Sequence, residues 1–255
     1  MKESSERAAI VIMAKRPVPG NVKTRLSPPL TLDDAARLYA CFLQDTIDKV
    51  NSILHVVRYL ALDIVVAGRA DENATEPAYK DTAMSIEDEM LNNLGLNTIV
   101  LPRSLRIISQ GEGSLGDRLQ NVGGRLAPSF DKLLFIGADS PDVPAGFVEQ
   151  AIGKLDASSV VIGPSDDGGY YLIGMRDAPG TANVFKDIHW STDVVYKQTL
   201  ARISTAGLSV DIIPAWYDVD EISELHKLAM HLKDAANDAP ATAAFLAEYL
   251  LSKNF

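Results

Sequence analysis

At 255 residues, 47% apolar and 23% charged, the chain is long enough to bury a full core and has the balance of an ordinary globular protein. Its formal net charge of −10 excludes broad electrostatic capture of nucleic acid or of an anionic membrane, so an anionic ligand has to be held by a local cluster of bases or by a metal. The single cysteine, Cys41, excludes an intrachain disulfide and a cysteine metal cluster, and in the run LYACFLQDTI it reads as a buried, inert thiol.

The N-terminal MKESSERAA lacks the apolar core of a signal peptide, and no run of about 18 apolar residues follows, so a cytoplasmic protein without a membrane partner is expected. Ala8 to Ala14 is wholly apolar and reads as a strand buried on both faces. It opens into a loop, Lys15 to Arg25, that carries four bases, two prolines and Gly20. Thr31 to Val50 reads as a helix with a capping-box-like start at Thr31 and Asp34. A strand is expected at Leu60 to Ala67.

Gly68 to Leu96 is acidic, with seven carboxylates against Arg69 and Lys80, and is expected to be a surface excursion containing one short helix, Ile86 to Leu94. Thr98 to Leu101 reads as a strand, and GEGSLGDRLQNVGGRL as a helix opened by glycines. Leu133 to Ala138 is a second buried strand, ending in Asp139-Ser140-Pro141-Asp142, with a helix from about Pro144 to Lys154. Ser159 to Gly163 is a strand, Asp166 to Gly169 a turn, and Tyr170 to Met175 its return partner. A helix at Asp193 to Thr205, a strand at Leu208 to Ile213 and a helix at Glu221 to Asp234 follow. Ala241 to Leu251 is a last apolar helix, expected to pack on the same domain, with a homodimer face as the alternative. Strand–helix alternation on this scale predicts one domain over residues 1–255, a three-layer α/β/α sandwich with a mostly parallel sheet.

In an open α/β sheet, ligands bind at the carboxyl ends of strands. Asp139 stands at such an end, where a carboxylate can hold a divalent cation and, through it, phosphate; helix capping is the equally simple alternative. Asp142 is expected to cap the helix or to support Asp139 from behind. Lys15, Arg16, Lys23 and Arg25 are placed to meet phosphates, with Gly20 allowing close backbone approach. The loop is not a Walker A motif, because Gly20 is followed by Asn21. Asp218 and Asp220 are two apart and face the same way in an extended segment; either could complete a cation site, and capping the next helix is the alternative for Asp220. Gly111, Gly113 and Gly116 spell the dinucleotide fingerprint, which is discounted because RSLRIISQ makes a poor preceding strand. The four histidines lack zinc spacing, and no GxSxG elbow is present.

Six ordered segments, Ala14 to Leu26, Gln110 to Leu119, Gly137 to Val143, Gly163 to Gly174, Trp190 to Thr192 and Asp218 to Asp220, together resemble a family. They look like the GT-A-like transferases of the rSAM/selenodomain-associated or arsenosugar-biosynthesis glycosyltransferase type. Two departures stand out: the longer acidic Gly68–Leu96 segment, and Glu221 where the pattern usually has threonine. The resemblance implies a nucleotide-diphosphosugar transferase fold, shared with phospholactate guanylyltransferases and sugar nucleotidyltransferases. It further implies nucleotide binding through Ala14, Lys15, Gly20, Lys23, Arg25, Gln110 and Gly116. Mg²⁺ or Mn²⁺ is then held by Asp139 and Asp220, and Asp167, Gly168, Gly169 and Tyr170 line the acceptor side. Lys23, Asp139 and Asp167 are the residues implied to carry the chemistry. The expected reaction is glycosyl transfer from a nucleotide-sugar to a small acceptor. Nucleotidyl transfer with release of pyrophosphate is the alternative, and a non-catalytic nucleotide-binding domain the more distant one.

Overall fold

A computed structural model describes residues 7–64, 96–177 and 182–253. Its frame is a seven-stranded sheet in the order β3-β2-β1-β4-β6-β5-β7. The strands are β1 (Ala8–Ala14), β2 (Val56–Leu62), β3 (Leu105–Ser109), β4 (Lys132–Gly137), β5 (Val160–Pro164), β6 (Tyr170–Arg176) and β7 (Val210–Ile212). Among the described strands only β6 runs antiparallel to its neighbours, so the carboxyl ends of the other six and the start of β6 share one edge.

Alternation along the strands builds two cores. Ile10, Ile12, Leu134 and Ile136 point to one face, and Ala9, Val11, Leu133 and Phe135 to the other. The first face is covered by α1 (Leu32–Ser52), α3 (Ala145–Lys154), α5 (Ile222–Asp234) and α6 (Pro240–Lys253). The second face is covered by α2 (Leu115–Leu126) and α4 (Val195–Thr205). Fully burying each large aliphatic side chain contributes about 1.5–3 kcal/mol, which suits β1 and the Leu133–Gly137 stretch of β4, neither of which carries a polar side chain. The expected three-layer α/β/α sandwich with a mostly parallel sheet is what forms.

Two strand expectations need correction. The second strand is Val56–Leu62, earlier than Leu60 to Ala67, because Val56 already pairs with Ala8. Thr98 to Leu101 forms no strand: Thr98 lies in a turn closed by Ile99 N–H to the Leu96 carbonyl (2.9 Å), and the strand is Leu105–Ser109, within the stretch expected to make a poor strand. As an edge strand it is less buried than its neighbours: Leu105 and Ile107 pack against the first core, Ile108 enters the second, and Arg106 lies across the Tyr59 ring at 5.9 Å. The acidic segment and its expected short helix fall outside the described residues, except for Leu96, which is fully buried. Cys41 is half-buried, its thiol pushed up to about 11 by burial and by Asp45.

α6 is docked by an unusual cap. Asp45, deep within α1, accepts from Ala241 N (2.8 Å), Thr242 N (2.9 Å) and Thr242 Oγ1 (2.6 Å), so one helix satisfies the free amides of another. Asp45→Ala is expected to lower stability by about 1–3 kcal/mol. Urea unfolding and faster amide exchange at Ala241 and Thr242 are the measurements.

Candidate active site

The site forms where the apolar strands run out. After Gly137 and the buried Ala138, Asp139 emerges half-exposed between β4 and α3. It does not cap α3, whose N-cap is Pro144. Asp142 is no cap either: it is 1% exposed and accepts from Trp216 Nε1 (3.1 Å) and the Tyr217 hydroxyl (2.5 Å). Beneath the same turn, Lys49 of α1 donates to the Pro141 carbonyl (2.6 Å).

The segment after β7 crosses these strand ends. Ser165 bridges to Trp216, Asp166 N–H donates to the Trp216 carbonyl (3.0 Å), and Val219 N–H donates to the Asp139 carbonyl (2.9 Å). Asp218 pins the crossing from below, accepting from Ser140 Oγ (2.5 Å) and Ser165 Oγ (3.0 Å). Burial first, and the charge of Asp139 second, push its carboxyl up to about 6. Asp218 is therefore a structural hub, and Asp220 is the aspartate of the pair that turns toward Asp139's partner, Lys23. Asp220 is not a helix cap, since Glu221 takes that place in α5 with a capping box to Glu224.

Asp139 and Asp220 converge on one ammonium. Lys23 Nζ makes an ion pair with Asp139 and another with Asp220 at 2.8 Å, and lies over the Tyr39 and Phe42 rings. Burial works against its charge, but the two carboxylates outweigh it and raise its pKa, while Lys23 holds Asp220 below the usual carboxylate range. The expectation that Lys23 meets phosphate from a solvent-facing loop therefore meets a different geometry: its side chain is buried. Arg16 is tied back to Asp63 through its backbone amide (2.7 Å). Lys15 and Arg25 are the exposed bases of this loop, and both bear electrostatically on Asp220. Gly20, at φ +82°, is exposed with open space around it.

Other expected contacts are engaged internally. The Gln110 amide is 3% exposed and donates to the carbonyls of Ala14 (2.9 Å) and Ala61 (2.8 Å), while its oxygen accepts from Arg118. Gly116 is buried, and a Cβ there would lie 2.8 Å from the Trp190 ring, so its smallness serves packing. The discounted fingerprint does follow a strand, but β3 is at the sheet edge, not beside the central crevice. Moreover, Asp117 closes a capping box over Ser114 and covers the start of α2 with its own carboxylate. On the hairpin, Asp167 is exposed and accepts from Gly169 N–H (2.9 Å). Gly168, at φ +88°, lies so close to Asp193 that an added Cβ would collide with its backbone. The Tyr170 ring turns to the second core, edge-on to Trp190 at 6.4 Å. Sequence reasoning missed Asp218 as the hub, Lys49 and Trp190. The first is a neighbour of Asp220 in sequence, and the last lies in a segment quoted for the family resemblance.

The donor set fits a hard divalent cation. Two carboxylates already gather around a positive charge, and no cluster of three or more His, Cys, Asp or Glu occurs among the described residues. Mg²⁺ is commonly held by one or two carboxylates, with water and substrate phosphates completing its shell.

A family model described as "Uncharacterized protein conserved in bacteria (DUF2064)" matches residues 72–192. A solved structure from Desulfovibrio desulfuricans G20, provisionally named a nucleotide-diphospho-sugar transferase, is 30% identical over 94% of each chain, with a TM-score of 0.76. This chain belongs to the nucleotide-diphospho-sugar transferase family. The chain is also similar to the 2-phospho-L-lactate guanylyltransferase of Methanothermobacter thermautotrophicus (strain Delta H). It is 25% identical over 219 residues, covering 83% of this chain and 80% of that protein. The family fold also extends to the 4-diphosphocytidyl-2C-methyl-D-erythritol synthase of Anaerococcus prevotii, at 12% identity, a TM-score of 0.54 and 89% and 96% coverage.

Lys49 gives the site's support a pH signature. Burial pulls its ammonium down to about 8, against the carboxylates of Asp142, Asp45 and Asp238. An unfolded chain keeps the lysine proton to higher pH, so from pH about 7 to about 10 the unfolded state binds more protons and stability rises with pH. Lys49→Met is expected to remove this slope relative to the parent in paired urea titrations across that range.

Proposed function

We propose that this protein is a metal-dependent transferase acting on a nucleotide donor. The observation that carries the reading is the convergence of Asp139 and Asp220 on a single cation at the carboxyl edge of the sheet. Mg²⁺ or Mn²⁺ held by these two carboxylates would neutralise charge on the departing phosphate group. The chain's own contribution is positioning and local positive charge. Lys15 and Arg25 stand exposed beside the carboxylates and suit the phosphates of the donor. The β5–β6 turn, with Asp167 exposed and Gly168 fixed against Asp193, suits the acceptor side. Ser140, Ser165 and Asp218 keep the carboxylate-bearing segments in register.

Glycosyl transfer from a nucleotide-sugar is the first reading, with the acceptor attacking the sugar carbon and a nucleoside diphosphate leaving. Burial of Lys23 supports it: two exposed bases and a metal match a diphosphate more closely than a triphosphate. The guanylyltransferase relative at 25% identity favours a second reading, attack of a phosphate oxygen on the α-phosphorus with loss of pyrophosphate.

Thermal melts against nucleoside triphosphates and nucleotide-sugars, with and without Mg²⁺ or Mn²⁺, are expected to show metal-dependent stabilisation by one class. The product then decides between the readings, nucleoside diphosphate for glycosyl transfer and pyrophosphate for nucleotidyl transfer. Asp139→Asn and Asp220→Asn are each expected to reduce turnover by at least about a hundredfold, the scale of removing one charge stabiliser from a transition state. Retained metal-dependent nucleotide binding in both variants, or no stabilisation by any donor, would overturn the assignment.

A further inference from the structure

The second-core side of the carboxyl edge carries an aromatic feature that neither the carboxylates nor the loop bases use. Met13 and Tyr170 stand in β1 and β6, on either side of β4, and both are half-buried against the second core. Beyond Tyr170 lies Trp190, edge-on to its ring at 6.4 Å and tilted on Phe185, also at 6.4 Å. The indole is half-exposed, and its Nε1–H donates to no group among the described residues. Two glycines make room for the segment that carries it. A Cβ on Gly116, at the start of α2, would lie 2.8 Å from the ring, and one on Gly168, in the β5–β6 turn, would strike the Asp193 backbone. Hydrogen bonds hold the segment in place: Trp190 N–H donates to the Ile188 carbonyl (3.0 Å), Thr192 Oγ1 to the His189 carbonyl (2.6 Å), and Tyr196 N–H to the Gly168 carbonyl (2.9 Å). Packing and hydrogen bonds therefore fix the ring at the edge, between α2 and the turn that suits the acceptor.

We propose that Trp190 is the wall that receives the sugar ring of a nucleotide-sugar donor. The inference rests on the glycosyl-transfer reading above and makes Trp190 a specificity-determining residue of that site. A core tryptophan buries its face and finds an acceptor for its N–H; this one keeps part of its ring and a free donor at the surface. Leu115, 38% exposed and next to Gly116, extends the apolar surface. The exposed residues next in sequence to Gly116, Gly168 and Trp190 are Leu115, Asp117, Asp167, His189 and Ser191, none of them a lysine or arginine. A phosphate chain is poorly matched by such surroundings. A sugar ring is well matched: its C–H face lies on an indole, and its hydroxyls donate to carboxylate and hydroxyl oxygens. The position agrees, because the sugar carbon in this reaction has to sit between the donor phosphates and the acceptor.

The test compares UDP-glucose with UDP, and GDP-mannose with GDP, by calorimetric titration with Mg²⁺ on the parent, Trp190→Ala and Trp190→Phe. Trp190→Ala is expected to bind the nucleotide-sugar that the parent prefers about tenfold more weakly, while its affinity for the matching nucleoside diphosphate stays within about twofold. Trp190→Phe, which keeps a flat ring and loses Nε1, is expected to recover part of the difference. A purely structural role would weaken both ligands alike, so equal losses overturn the proposal, as does an unchanged preference for the nucleotide-sugar. Where Trp190→Ala fails to fold, Trp190→Leu, apolar but without a flat face, carries the same comparison. Fluorescence adds an independent readout, since the chain has two tryptophans and Trp216 is engaged by Asp142. Nucleotide-sugar is expected to change the emission of the parent more than nucleoside diphosphate does, and that excess is expected to vanish in Trp190→Phe; an excess that persists there overturns the assignment. The parent separates this result from the functional reading. A parent that binds neither nucleotide-sugar overturns glycosyl transfer and this inference with it, whereas a parent that binds one, with the preference intact in Trp190→Ala, overturns the role of Trp190 alone.

Discussion

A buried ammonium has to be paired, and in this protein that requirement assembles the site. Lys23 comes from the loop after the first strand, Asp139 from the end of the fourth, and Asp220 from the last crossing segment, nearly two hundred residues along the chain. Removing one partner of such a buried set strands a charge away from water, which is far more costly than the modest net value of an intact pair. The ion triad is thus weak evidence of stability and strong evidence of arrangement. It turns one oxygen of each carboxylate toward the buried ammonium.

The triad can be so specific because its supports are rigid. Asp139 leaves a strand whose neighbours on both sides are fully paired, and its carbonyl is tied to Val219. Beneath the crossing segment, Asp218 joins it to two serine hydroxyls, while Asp142 holds Trp216 and Tyr217. Lys49 closes the turn from the helix side. These contacts link the packed core to Asp139 and Asp220, and site geometry of this kind depends on such backing. Asp218 and Asp142 are carboxylates placed beside the ligand-facing pair but engaged by hydroxyls and an indole. Composition alone does not distinguish them from metal ligands.

The sequence carried the architecture well where one physical signal dominated. Ala8 to Ala14 and Leu133 to Ile136 have no polar residue to place at the surface, so both were readable as central strands, and the aspartate that ends the second was readable as a site. Strand β3 was not, because an edge strand keeps charges on its open side and loses the unbroken apolar pattern. Single residues in the site were less legible still. Gln110 and Gly116 lie in recognisable patterns, yet the structure turns one to backbone carbonyls and sets the other against an indole. Lys23 and Lys15 are both lysines of one loop, and their opposite fates depend on a left-handed backbone and on carboxylates distant in sequence. No local spacing rule contains that information.

Charge ties these observations to function. A chain with net charge −10 repels a nucleotide at long range, so donor capture has to come from a short-range arrangement of positive charge. By count, the first loop supplies four bases. Folding withdraws Lys23 into the core and ties Arg16 to Asp63, which leaves Lys15 and Arg25 facing out. Two bases cannot neutralise a phosphate chain alone, and this deficit is what a divalent cation on Asp139 and Asp220 would fill. The same deficit argues for binding metal and donor together. On the proposed reading, each would supply charge that the other lacks.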